Sequence, residues 1–251
     1  MIRLVVMLSF LLLTSCSKKP AETTLAISPL WQGQSINCDT VLSVNGVDWK
    51  IRDFSVYLSQ IEYQNTAGEW HKVTLDVNEN SSSKVVLLTP ECSKKANGYN
   101  WQILTKNNIE QWQKVKFTLG VPFELNHENP IFQKSPLNVP SMFWVWRTGH
   151  KFLRLEMESK KGDWLFHLGS VGCQAKSAVR APEKPCQFPN TFSYEIELEK
   201  ANQFKLDVGV LLNGIVLNTD NSCKSSHENS TCLKLFENLS NQSIFSSGGT
   251  Q

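Results

Sequence analysis

The sequence lacks both an excess of charge of one sign and a recognisable catalytic motif. Its 25 lysine and arginine residues nearly balance 23 aspartate and glutamate residues, which gives no electrostatic reason to expect a nucleic-acid partner. The motifs GxSxG, GxGxxG, HExxH and the P-loop are absent. Glu156 and Glu158 share one face of a predicted strand, which is more typical of a solvated face than of an acid/base pair. We therefore predict that the protein is not an enzyme.

Long hydrophobic runs are also absent beyond the first residues. The apolar run at 4–13 ends in the sequence LTSC at Cys16 and is too short to span a membrane comfortably. This start resembles a bacterial lipoprotein signal, which is cleaved before the cysteine that receives the lipid. We expect residues 1–15 to be removed and Cys16 to anchor the chain to a Gram-negative outer membrane, facing the periplasm or the cell surface. Ser17, in place of an aspartate, favours this location; the alternative is an ordinary signal peptide with an incidental cysteine.

The cysteines include no CxxC pair, which disfavours a thiol redox motif or a cysteine zinc site. Without Cys16 the chain has six cysteines, an even number that indicates disulfide bonds in an exported protein. Many pairings are possible, but proximity in the sequence favours three of them. They are Cys173 with Cys186, Cys223 with Cys232 and, by remainder, Cys38 with Cys92.

Helical periodicity is scarce, whereas short alternating runs rich in β-branched and aromatic residues recur between clusters of Gly, Pro, Asn and Ser. This pattern predicts strands at 49–63, with a bulge or break near Asp53, and at 84–88, 113–119, 143–147, 152–158, 164–168, 193–198 and 203–208. Short helices are predicted within 105–112, 208–217 and 232–239. The fold class that follows is all-β, a disulfide-stapled β-sandwich, Ig-like or related, with a few short helices.

The two ends of the mature chain are more polar than its centre. We expect residues 16–30 to form a flexible tether between the lipid and the domain. A single sandwich domain is expected over 31–245, and a disordered tail over 246–251.

Three histidines and a group of tryptophans fall in one central window. His127, His150 and His167 lie there together with Trp144 and Trp146. Imidazole and other soft donors favour copper over calcium or magnesium. Their spacing does not by itself bring them together, and each histidine alone is more commonly an ordinary loop or half-buried residue. A tryptophan cluster, too, is more often core than cofactor site.

Several motifs in and around this window match one known family. They are DFSVYLSQI at 53–61, LGVPFELNH at 119–127, SPLN at 135–138, MFWVW at 142–146, GxKF at 149–152 and HLGSxGC at 167–173. Cys173, Cys186, Cys223 and Cys232 complete a four-cysteine pattern. Over about 45–245 the chain closely resembles the MbnP-like copper-associated proteins, also described as metallo-mystery pair proteins with a four-cysteine motif.

The resemblance implies an exported β-rich protein with a dihaem partner. That partner, called MbnH, is MauG-like or cytochrome c peroxidase-like and oxidises a tryptophan to kynurenine. By the same resemblance, Trp144 and Trp146 are the candidates for oxidation, and His127 and His167 are the candidate copper ligands. Ring opening exposes an aryl amine and a carbonyl, which indole cannot offer to a metal. Members often carry tyrosine where this chain has His150, so His150 is either an extra ligand or a neutral replacement, and we favour the replacement.

These features predict an exported, lipid-anchored copper-binding protein, attached to the membrane through its lipid only. In that case Trp144 and Trp146 should lie within reach of at least two histidines. The alternative is a surface binding or adhesion module, which would expose its aromatic residues instead of gathering its histidines.

Overall fold

The structure, a computed structural model, describes residues 23–92, 97–99, 101–198 and 202–248. The expected signal peptide at 1–15 and the lipidation site Cys16 lie outside these residues. Within the described part, no helix has both the length and the apolar character needed to cross a membrane.

Strands dominate the described residues, and the helices are short. In chain order the strands are β1 Thr23–Trp31, β2 Gln34–Ser35, β3 Val41–Val44, β4 Val47–Asn65, β5 Trp70–Lys72, β6 Val85–Leu88, β7 Glu91–Cys92, β8 Asn97–Gly98, β9 Trp101–Thr105, β10 Trp112–Leu119, β11 Leu153–Ser159, β12 Gly162–Leu168, β13 Phe192–Glu197, β14 Gln203–Asp207 and β15 Phe245–Ser247. The helices are α1 Phe123–Asn126, α2 Val208–Leu211 and α3 Ser230–Leu239, with 3-10 turns at Ile109–Gln111, Pro140–Met142, Thr219–Asn221 and Gln242–Ile244.

The larger sheet is organised around the long strand β4. Its main order is β12-β11-β4-β10-β13, and β3, β5 and β6 also pair with β4. The register between β11 and β4 shifts after the Glu156–Asp53 pair, because Met157 lies opposite Ile51 and Arg52 is left between them. This confirms the bulge predicted near Asp53, and such a bulge bends a strand.

The smaller sheet has the order β15-β14-β1-β2, with β9 also paired to β1. β1 runs parallel to β14 and antiparallel to its other partners. The two sheets meet through aromatic side chains: the Phe117 ring of β10 lies 5.3 Å from the Phe204 ring of β14 and 5.0 Å from the Phe245 ring of β15. The predicted β-sandwich is therefore confirmed.

The predictions of a flexible tether at 16–30 and of a disordered tail at 246–251 are both partly wrong. β1 begins at Thr23, within the expected tether at 16–30, and Leu25 and Ile27 are buried in alternation with more exposed neighbours. At the other end, β15 extends into the expected tail at 246–251 and pairs with β14. Pairing with β14 stabilises both segments, and local polarity does not reveal such a partner.

The predicted strand at 143–147 is also wrong. This segment follows the 3-10 turn at Pro140–Met142 and forms only an isolated bridge between Phe143 and His150, with turns between them. Its alternating aromatic residues contact two different histidines, as described below. Of the three predicted helices, the one at 232–239 is confirmed as α3. The one at 208–217 is shorter than predicted and corresponds to α2, and the segment 105–112 contains only a 3-10 turn.

All three predicted disulfide pairings are confirmed. They are Cys38–Cys92, Cys173–Cys186 and Cys223–Cys232. The third bond ties α3 to the loop beside β12, where the backbone N–H of His167 donates to the Cys223 carbonyl at 2.8 Å.

Candidate metal centre

The loop that carries both candidate tryptophans closes on itself through backbone hydrogen bonds. The N–H of Trp144 donates to the Gly149 carbonyl at 3.0 Å, and the N–H of Gly149 donates to the Val145 carbonyl at 2.7 Å. Gly149 has φ +73°, and a Cβ there would lie 2.3 Å from Oδ1 of Asn126. Glycine is therefore required at this position by both conformation and space.

Trp146 faces His127, which ends helix α1. Its indole Nε1 donates to the His127 carbonyl at 2.8 Å, and His127 Nδ1 donates back to the Trp146 carbonyl at 3.3 Å. The His127 ring is 6% exposed. Burial lowers the pKa of His127, so the imidazole is neutral at pH 7.

Trp144 faces His167, at the end of β12. The two ring centroids are 6.4 Å apart, and the planes are tilted by 50°. Gly169 makes room for the indole, because a Cβ there would lie 2.6 Å from a Trp144 ring carbon. Each candidate tryptophan thus contacts one of the two candidate ligand histidines.

A network of charged side chains orients His167. Arg154 lies directly opposite His167 in the β11–β12 ladder, and Asp53 lies opposite Glu156 in the β4–β11 ladder. Residues directly opposite each other, or two apart on one strand, share a face of the sheet. Arg154 donates to Asp53 at 2.8 Å and to both carboxylate oxygens of Glu156 at 2.9 and 2.8 Å. His167 Nε2 donates to Glu156 Oε1 at 2.8 Å.

These contacts select the tautomer of His167. Burial, together with the nearby cations Lys151 and Arg154, lowers the pKa of His167 to about 4 despite the adjacent carboxylate. Burial raises the pKa of Glu156, but the hydrogen bonds from Arg154 and His167 outweigh it and bring that pKa to about 2. At pH 7 the ring is therefore neutral and holds its proton on Nε2, so Nδ1 carries the lone pair. A carboxylate that fixes the tautomer in this way is common behind metal-bound histidines.

The expectation that Glu156 belongs to a solvated face is wrong. Its side chain is 13% exposed, whereas that of Glu158 is 46% exposed. Strand parity correctly placed both carboxylates on one face. It gave no sign that the loop at 143–150 approaches the end of this face, or that Glu156 meets a histidine from the next strand.

His150 is fully buried and has oxygen atoms at both ring nitrogens. Nδ1 lies 3.1 Å from Asn126 Oδ1, and Nε2 lies 2.9 Å from the Leu137 carbonyl. Burial lowers the pKa of His150 to about 4. A metal could bind this ring only if one of these contacts were broken, so the burial and contacts of His150 fit a core residue better than a ligand.

One further contact of His127 could not be predicted from the spacing of residues in the sequence. His127 Nε2 lies 3.5 Å from Cys186 Sγ, and these two atoms and Cys173 Sγ all lie within 4.8 Å of one another. Imidazole and cysteine sulfur are both soft metal donors. Here, however, the two sulfurs are bonded to each other, and the thiolate that binds metals well is absent from a disulfide.

The other histidines lie outside these groups. His71 is exposed, and the His227 ring stacks on Phe188 with centroids 3.8 Å apart. The candidate site therefore consists of two pairs, Trp144 with His167 and Trp146 with His127.

Comparisons with known proteins give the family. The sequence profile of MbnP matches residues 20–225. Among solved structures, the chain is similar to MbnP from Methylosinus trichosporium, with a TM-score of 0.75 and 18% sequence identity over 86% of each chain. At this identity the structural likeness shows the fold alone. A comparison with curated proteins gives no match. Because the profile covers most of the chain, this protein belongs to the MbnP family.

Proposed function

We propose that this protein is an exported, lipid-anchored copper-binding protein whose metal site is completed by an oxidised tryptophan. Family membership and the two tryptophan–histidine pairs support the proposal. In this account the protein is the substrate of the oxidation and has no catalytic activity of its own. Cys16 would hold it at the outer membrane.

The observation that carries the proposal is the position of Trp144 against His167. His167 is neutral, and Glu156 leaves its Nδ1 lone pair available for a metal. Nitrogen donors of this kind suit copper. A kynurenine at position 144 would add an aryl amine and a carbonyl beside that imidazole. His127 remains the candidate second histidine ligand, and a metal at its Nε2 would replace the contact with Asn126 Nδ2. His150 is the weaker candidate because it is fully buried and both ring nitrogens face oxygen atoms.

The oxidation requires a partner that supplies oxygen. Conversion of tryptophan to kynurenine breaks the indole C2–C3 bond and adds one oxygen atom to each of its carbons, while two molecules of peroxide are reduced to water. Hydrolysis of the N-formyl group then releases C2 as formate. The proposed partner is a dihaem MbnH-type enzyme of the MauG and cytochrome c peroxidase class, with peroxide as the oxidant. Trp144 is half-buried, so only part of its ring is covered by this chain.

Peptide mass mapping tests this proposal. The protein is isolated from its host and from a strain without the dihaem enzyme, and the peptide with Trp144 and Trp146 is sequenced by mass spectrometry. We expect kynurenine at Trp144 only when the enzyme is present. Unmodified tryptophan at both positions in the host, with the enzyme expressed, would contradict the proposal.

A second candidate function is that of a surface binding module. Ile131 and Phe132 are neighbours in the chain and are 83% and 77% exposed. Adjacent exposed apolar side chains are typical of protein contact surfaces. If this function is the correct one, the double variant Ile131→Ser, Phe132→Ser should lose attachment to host-cell surface proteins, and the protein from the host should contain no copper.

A further inference from the structure

The disulfide Cys173–Cys186 has a histidine directed at it. His127 Nε2 lies 3.5 Å from Cys186 Sγ. Two ligands at about 2.0 Å (nitrogen) and about 2.3 Å (sulfur) from a tetrahedral metal are themselves about 3.5 Å apart. The nitrogen and one sulfur are therefore already at the separation that a shared metal ion would require.

The hydrogen bonds of His127 place its lone pair on the nitrogen that faces the sulfur. Nδ1 holds the proton, because it donates to the Trp146 carbonyl. Nε2 accepts from Asn126 Nδ2 at 3.2 Å, a contact that a bound metal would replace. A backbone carbonyl behind Nδ1 is a common support for a histidine that binds metal through Nε2.

The disulfide is slightly exposed, with Cys173 at 9% and Cys186 at 6%. Cys186 lines a cleft of about 280 Å³, whose wall includes Ser59 and Pro189. The Ser59 hydroxyl is fully buried and has no hydrogen-bond partner among the described residues. By contrast, Cys223 and Cys232 are both 0% exposed. A small reductant can therefore reach Cys186 more readily than the bond beside α3.

We propose that His127, Cys173 and Cys186 form a latent metal site, which opens when the disulfide is reduced and then binds a soft d10 ion such as monovalent copper. A dithiol supplies two electrons and two protons and is itself oxidised to a disulfide. The S–S bond becomes two thiols, and metal binding releases their protons. Two thiolates and one imidazole select soft ions. The latent site shares His127 with the proposed copper site but adds the two sulfurs of the reduced protein. It needs no oxidised tryptophan, so it can be tested apart from the proposed function.

Differential alkylation of the full chain tests this site. The protein is treated with limiting dithiothreitol, and its fold is checked by circular dichroism. Cadmium, a soft d10 probe, is then added at increasing concentrations before alkylation and residue-by-residue mass mapping. The more exposed bond Cys38–Cys92 should open first. We expect Cys173 and Cys186 to become reactive next, before Cys223 and Cys232, and cadmium to slow the alkylation of Cys173 and Cys186 at least tenfold.

Histidine variants identify the nitrogen ligand. His127→Gln should raise the cadmium concentration needed for protection at least tenfold. His227→Gln is the matched control, because its ring is partly buried but lies outside the group of donor atoms, and protection should be unchanged. The inference is overturned if the Cys173–Cys186 bond is not reduced in the folded chain or if its reduction unfolds the chain. It is also overturned if cadmium protects the cysteines of His127→Gln at the same concentration as in wild type. Copper content of the oxidised protein, measured separately, reports on the proposed function alone.

Discussion

Trp146 and His127 are joined by two hydrogen bonds that run in opposite directions. The indole N–H of Trp146 donates to the His127 carbonyl, and the His127 ring donates to the Trp146 carbonyl. The indole N–H is thus already used to fix the loop. Trp144 instead lies with its ring against His167. We therefore expect Trp146 to have a structural role and Trp144 to be the residue that is oxidised.

The first prediction separates the two tryptophans. Trp144→Phe should abolish kynurenine formation and lower the copper content of protein from the host at least tenfold. Trp146→Phe should keep its copper but lose about 1 kcal/mol of unfolding free energy, because one hydrogen bond to the backbone is removed. Elemental analysis and urea unfolding measure both quantities. Copper loss in Trp146→Phe with full copper in Trp144→Phe would reverse the assignment.

The second prediction concerns the carboxylate behind His167. Glu156→Gln removes the charge that holds the proton on Nε2, and loss of such a support typically weakens metal binding about 10- to 100-fold. We expect a decrease of this size in copper affinity, measured by competition with a chelator. Glu158→Gln is the control, since its side chain is 46% exposed and does not contact His167. Equal affinities in the two variants would show that Glu156 does not position the ligand.

The third prediction is a pH dependence of stability. The folded pKa of His150 is about 4, below its ordinary value of 6.5. Between pH 6.5 and about 4, the His150 ring binds a proton in the unfolded chain but not in the folded chain. The free energy of unfolding therefore falls as the pH drops from about 6.5 to about 4. The resulting loss of unfolding free energy is at most about 3 kcal/mol. In metal-free protein, His150→Gln should reduce this slope without removing it, because His167 titrates in the same window.

Urea unfolding at a series of pH values measures the slope. The control is His71→Gln, which replaces a histidine whose side chain is 44% exposed. An unchanged slope in His150→Gln would show that burial of this ring does not contribute to acid sensitivity.

The fourth prediction concerns the space for Trp144. Gly169→Ala would place a Cβ 2.6 Å from both the Trp144 ring and the His150 carbonyl. We expect a loss of about 1–3 kcal/mol of unfolding free energy, the usual cost of overpacking, and displacement of the indole from His167. Gly98→Ala, which meets nothing within 4 Å, is the control. Similar stability in both variants, with copper retained, would mean that the Trp144 contact is not required.

Local patterns predicted those parts of the fold that depend on local order. The strands predicted at 49–63, 152–158 and 164–168 agree with β4, β11 and β12 to within about two residues at each end. The disulfide pairings of Cys173 and Cys223 followed from proximity in the sequence, because each partner lies 13 or fewer residues away. Alternation and short loops are visible without knowledge of the tertiary structure.

Contacts between distant segments could not be predicted in this way. β1 is ordered because it pairs with β14, nearly 180 residues later in the chain. His127 meets Cys186 across 59 residues, and Glu156 meets His167 through strand register. The pattern at 143–147 suggested a strand because its aromatic residues alternate. In the structure, Trp144 instead contacts His167 and Trp146 contacts His127.

The most direct test of the account is the copper content of protein from the native host. It is measured by elemental analysis after desalting, for wild type, for the double variant His127→Ala, His167→Ala and for the control His227→Ala. We predict stoichiometric copper in wild type and in the control, and loss of copper in the double variant with its disulfides and fold intact. Absence of copper from the wild-type protein, or its retention in the double variant, would contradict the account.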